Sequence, residues 1–215
     1  MTEEHDHRLK DYRMRMRLSP QFRRFGLDPV WRPGEGDIEG FIHDEVVRQW
    51  HDPRVEHDGG IRVKWMTQAW EYAQARYITT PNPFAHDIRT LGQTVEPKVN
   101  PDGFRPYAVF IGNREGAPWG AVPMMVDALV EQLPVAPEQY NVGWSLDVVN
   151  RAIPDTFLLD YVRRIRTADD WYLAYEWVHP FGDGNGRSGK ILHNWILGTL
   201  DEPVLVDDYF GGGNP

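Results

Sequence analysis

No cysteine occurs in the 215 residues, which excludes disulfides and cysteine-ligated metals and suits an intracellular protein. No stretch approaches the ~20 apolar residues of a membrane span. The polar start, MTEEHDHRLK, has no apolar run behind it, so no signal peptide is evident. Positive charge is also scarce: the formal net charge is −9, which makes a poor generic binder of nucleic acid or anionic membrane. There is no internal repeat and no low-complexity block. Aromatics, by contrast, are plentiful, with nine each of Trp, Tyr and Phe. That content argues against a disordered chain and for one globular domain with a substantial core. The organisation read from the chain is an N-terminal extension over 1–40, a helical domain over 41–200 and a tail over 201–215.

One stretch departs from ordinary core or turn composition: His179-Pro180-Phe181-Gly182-Asp183-Gly184-Asn185-Gly186-Arg187-Ser188-Gly189-Lys190. It holds a histidine, a carboxylate, four glycines and two cations. An aromatic segment, 171–178, leads into it, with Trp171, Ala174, Tyr175 and Val178 at helical spacing. Thr167 and Asp170 form a capping-box-like start. A second amphipathic segment, 191–200, leaves it, with Leu192, Trp195, Ile196 and Leu200 on one face. The stretch therefore reads as a helix–loop–helix whose glycine-rich link opens a helix. A helix start offers unpaired N–H groups and a positive dipole end, a seat for di- or triphosphate. Arg187 and Lys190 add charge. Asp183 would repel bare phosphate but suits Mg²⁺, which takes a carboxylate plus phosphate oxygens. His179 is placed to accept a proton from an attacking group.

HPFGDGNGRSGK resembles the signature of the Fic family, HxFx[D/E]GNGRxxR. His179, Phe181, Asp183, Gly184, Asn185, Gly186 and Arg187 match. Lys190 departs, keeping the charge of the second arginine but losing its planar fork. The resemblance implies a mainly α fold, a Fic-like helical bundle with a small β-hairpin flap beside the catalytic loop. It implies transfer of AMP from ATP to a hydroxyl side chain of a target protein. In that pattern His179 is the general base and Asp183 holds Mg²⁺ on the phosphates. Gly184, Asn185 and Gly186 form the anion hole, Arg187 grips the departing phosphates, Lys190 joins the phosphate site, and Phe181 anchors the loop. The setting implied is cytoplasmic, or inside a host cell into which the protein is delivered.

Other readings of the same residues exist. Gly184 to Ile191 nearly spells a P-loop, but Ile191 replaces the magnesium-binding hydroxyl and a helix precedes it instead of a strand. A plain glycine-rich connection explains the glycines but not the histidine, acid and cations. A phosphotransferase of the related Doc branch usually carries Lys where Gly186 stands. Transfer of another nucleotide monophosphate and a non-catalytic nucleotide- or partner-binding module complete the alternatives.

The rest of the chain supplies context. Residues 38–51 form a short helix carrying Ile38, Phe41, Ile42 and Val46, and about 61–78 form a longer one carrying Met66, Ala69, Trp70, Ala73 and Tyr77. His86 to Leu91 is one or two helical turns. Gly103-Phe104-Arg105 leads into a strand over 107–112, a turn over 113–116 and a return strand over 117–122. This resembles the flap, whose Val109, Phe110, Ile111 and Gly112 would hold a target by strand addition. Pro123 opens the next helix, and 147–165 is helical in composition. Five of the eight histidines precede aspartate (His5, His43, His51, His57, His86), and these pairs read as surface residues. Arg13 to Arg17 alternates basic and apolar residues and reads as a solvated lead-in. The inhibitory pattern [S/T]xxxE[G/N] of many Fic proteins is absent, because Glu35, Glu39 and Glu115 lack Ser or Thr four residues earlier. A separate antitoxin-like protein would then supply inhibition, or the enzyme is not regulated in this way.

Overall fold

A computed structural model describes residues 38–49, 59–111, 114–133 and 165–206. Within them the chain is mainly helical. Its elements are α1 (Ile38–Gln49), α2 (Gly59–Tyr77), α3 (Ala85–Val95), β1 (Phe110–Ile111), β2 (Arg114–Glu115), a 3₁₀ turn (Trp119–Ala121), α4 (Val122–Glu131), α5 (Ala168–Val178) and α6 (Asn185–Leu197). The readings that fall on 1–37, on 134–164 and on the tail beyond 206 lie outside the described residues. So do His5, His51, His57, Gly112 and the side chain of His43.

Helix α6 runs through the middle of the packing, against α2, α3 and α5, while α1 lies on α2 and α4 on α5. The apolar stripes explain this arrangement. Trp171, Ala174, Tyr175 and Val178 of α5 and Leu192 and Trp195 of α6 are fully buried, as their spacing requires. Met66, Ala69, Trp70 and Ala73 of α2 join them, whereas Tyr77 is exposed at that helix's end. Burying indole requires an acceptor for its N–H, and each central tryptophan has one from a distant segment. Trp70 donates to Leu200 O (2.9 Å), Trp171 to Leu129 O (2.9 Å) and Trp195 to Thr80 O (3.1 Å). Each indole thus ties two segments together as well as filling space.

Thr167 and Asp170 form the expected reciprocal capping box at the start of α5. The buried Tyr175 hydroxyl meets Ser188 Oγ at 2.6 Å, linking α5 to α6. Burial pushes that phenol well above its ordinary pKa, although the Ser188 contact acts the other way.

Two sequence expectations need correction. The return strand is Arg114–Glu115, paired as Phe110 with Glu115 and Ile111 with Arg114, and not 117–122. Ala117 is drawn into the core and Pro118 opens the 3₁₀ turn, which ends strand pairing there. The His86–Asp87 pair is only half a surface feature. His86 is exposed, but Asp87 is fully buried and accepts from Tyr72 Oη (2.6 Å), Arg76 Nε (2.9 Å) and Phe84 N (2.9 Å). Burial alone would raise the pKa of this carboxyl, but the hydrogen bonds outweigh it and hold the group below its ordinary value.

Candidate active site

Helix α5 ends at His179, the one non-glycine with positive φ among the described residues (φ 48°, ψ 63°). A left-handed non-glycine residue costs roughly 1–2 kcal/mol, so something must hold it. Arg105 does so. Its Nε donates to His179 O (2.7 Å), its backbone N to Pro180 O (2.9 Å) and its Nη2 to Val178 O (3.3 Å). The same guanidinium donates to Tyr107 O (2.6 Å) and to Ala117 O, the two ends of the hairpin excursion. One buried side chain therefore fixes both the turn at His179 and the hairpin beside it. A Cβ on Gly116, at the base of the hairpin, would lie 3.5 Å from the Cβ of His179. The imidazole is partly exposed, and Glu176 Oε2, one helical turn back, lies 4.0 Å from its Nδ1.

Two asparagines and one aromatic ring also shape the loop. Phe181 N donates to Asn185 Oδ1 (2.9 Å), and Asn185 Nδ2 donates to Phe181 O (3.0 Å). Asn100 accepts from Gly182 N (3.1 Å) and donates to Asp183 O (2.8 Å). Phe181 is fully buried, with its ring over Gly92 of α3, where an added Cβ would lie 2.1 Å from Cζ. The ring therefore packs the loop against α3. The side chain of Asn185 positions the loop, which leaves its backbone N–H as its contribution to any anion seat.

Gly184 begins α6 at φ 80°, a conformation glycine adopts without strain. It supplies no capping side chain, and the first intrahelical bond is Ser188 N to Gly184 O (2.9 Å). The dipole end of a 13-residue helix therefore faces the loop without a cap.

Four charges gather there. Arg187 is buried and donates to Val95 O (2.9 Å) and Glu96 Oε2 (2.8 Å), with Asp183 Oδ1 at 3.7 Å. Arg62 of α2 places Nη2 3.3 Å from both Asp183 Oδ2 and Glu96 Oε2. Asp183 is 43% exposed and Glu96 only 2%. Magnesium commonly takes one or two carboxylates together with substrate phosphates, and the exposed Asp183 beside the helix start fits that donor set. Among the described residues no three His, Asp or Glu side chains gather as an all-protein metal cage.

Lys190 is the clear departure from expectation. Its side chain is 0% exposed and Nζ lies 2.6 Å from Glu45 Oε2 of α1. It is held inside the bundle and does not add charge at the surface of the loop. The physical reason is that α6 is buried along nearly its whole length, so a cation on it needs an internal carboxylate. Of the predicted residues, His179, Phe181, Asp183, Gly184, Asn185, Gly186 and Arg187 come together on the helix–loop–helix. Val109, Phe110 and Ile111 stand on the hairpin joined to it through Arg105, and Phe110 is 70% exposed. Sequence reasoning missed Arg62, Glu96 and Asn100, for which it offered no signal. Glu176 was missed as well, although its three-residue spacing to His179 could have pointed to it.

No family model matches the chain. A segment of 46 residues is 33% identical to part of the ribonucleoside-diphosphate reductase small chain of Ostreid herpesvirus 1 (isolate France). The match covers 21% of this chain and 8% of that protein, too little to show a family. No helix of the described residues is long and apolar enough to cross a membrane.

Proposed function

We propose that this chain is a group transferase acting on a magnesium-bound nucleotide. More narrowly, it is a protein adenylyltransferase of the Fic type, moving AMP from ATP to a hydroxyl of a target protein. One observation carries the proposal: the HPFGDGNGR stretch places a partly exposed imidazole and an exposed carboxylate at the uncapped start of a buried helix. Peptide N–H groups at a helix start and the Arg187 guanidinium suit phosphate oxygens. Asp183 would hold Mg²⁺, which neutralises phosphate charge as the leaving group departs. His179 takes the proton of the target hydroxyl, whose oxygen bonds to the α-phosphorus as the bond to the β-phosphate bridge breaks and pyrophosphate leaves. Glu176 lies on the Nδ1 side of the ring, which leaves Nε2 as the nitrogen to take the proton. The hairpin would present Val109, Phe110 and Ile111 to an extended target segment.

A second reading, a nucleotide-binding module without transfer, draws on the internal pairing of both motif cations, Arg187 with Glu96 and Lys190 with Glu45. Incubation with cell lysate, Mg²⁺ and ATP labelled at either the α or the γ position separates the readings. Label from the α position on a protein hydroxyl is expected. Label from γ alone would replace adenylyl transfer with phosphotransfer, and label from neither would favour the binding module.

A further inference from the structure

The signature expects two cations after the glycines, yet only Arg187 faces the loop, because Lys190 is sealed in the bundle with Glu45. Another cation reaches the loop from elsewhere in the chain. Arg62 stands on α2, 121 residues before Asp183 in sequence, and its Nη2 lies 3.3 Å from that carboxylate and 3.3 Å from Glu96. Its side chain is 15% exposed and its buried Nε carries no hydrogen bond, so the five-donor fork is only partly used.

From this arrangement we infer that Arg62 is a phosphate-binding residue for the polyphosphate chain of the nucleotide, serving where Lys190 cannot. The inference rests on the nucleotide reading above. The charge balance supports it. As described, Arg62 and Arg187 face Asp183 and Glu96, two positive charges against two negative. Once Asp183 turns its oxygens to Mg²⁺, Arg62 loses one of its two carboxylates and the cluster gains net positive charge. A di- or triphosphate supplies the missing anion, and guanidinium grips its oxygens in pairs. A nucleoside monophosphate offers far less of that charge, so Arg62 discriminates by phosphate number.

Calorimetric titration of the full chain with Mg·ATP and with AMP tests this. Arg62→Ala is expected to weaken Mg·ATP binding by about tenfold to a hundredfold, the size of a charged hydrogen bond left unmade. AMP affinity should stay at the native value, and Arg62→Lys should recover part of the loss for Mg·ATP. A purely structural role would weaken both ligands together, and that outcome overturns the inference. Native-like Mg·ATP affinity in Arg62→Ala overturns it too, while leaving the nucleotide reading standing. Should Arg62→Ala not fold, Arg62→Gln, which keeps the stem without the charge, reads the same contrast. Absence of Mg·ATP binding by the native chain would remove the nucleotide reading and the role of Arg62 with it.

Discussion

His179→Ala is expected to lower transfer of α-labelled AMP to protein by about 10²–10⁴-fold, the usual cost of a missing general base. Mg·ATP binding should survive, because the proposed seat draws on the start of α6, Asp183 and Arg187 and not on the imidazole. The split between chemistry and binding is what distinguishes a base from a scaffold residue. Position 179 is the left-handed end of α5, so alanine there carries its own small strain. His179→Asn separates the two effects, since asparagine tolerates that conformation but cannot take the proton. Both variants should lose transfer equally. Undiminished labelling by either would remove His179 from the chemistry.

Arg105→Met should have the largest effect on stability, about 3 kcal/mol or more, since buried acceptors left unpaired cost about 1–3 kcal/mol each. Four carbonyl groups (Tyr107, Ala117, Val178 and His179) lose their side-chain donor together in this variant. Burial lowers the pKa of this guanidinium from its ordinary value, with Glu115 acting in the opposite direction. An arginine stays charged across the working range of pH regardless, so the deletion removes a charge solvated mainly by peptide dipoles. Urea unfolding is the check: the midpoint should fall with an unchanged slope. Transfer should fall as well, because the same donors set the turn at His179 and the base of the hairpin. A native midpoint would mean that water replaces the guanidinium without loss.

The parts of the fold that could be read from the chain are those in which local periodicity and burial agree. Trp171, Ala174, Tyr175 and Val178 lie on the buried face of α5, and the Thr167–Asp170 box starts that helix where it was expected. The loop residues were legible because they sit in one contiguous stretch. What could not be read depends on distant partners. Asn100 and Arg105 hold the loop from 82 and 74 residues away; Asn100 carries no pattern that announces it, and Gly103-Phe104-Arg105 reads only as the lead-in to the hairpin. Lys190 misled for a related reason. Its position beside Arg187 suggested a shared ligand, but its place on α6 directs it to Glu45, 145 residues away. Asp87 reads as a surface residue until Tyr72 and Arg76 of α2 close over it. The return strand failed differently: the run 117–122 was read as a strand because it follows a turn signal, but Pro118 and the burial of Ala117 fix a 3₁₀ turn.

The proposed seating of a magnesium-bound nucleotide at the start of α6 is tested most directly by titrating ATP calorimetrically, with and without Mg²⁺, into the native chain and Asp183→Ala. Saturable binding that needs Mg²⁺, and that weakens about tenfold or more in Asp183→Ala, is the expected result. No binding by the native chain, or binding indifferent to both the metal and Asp183, would contradict it.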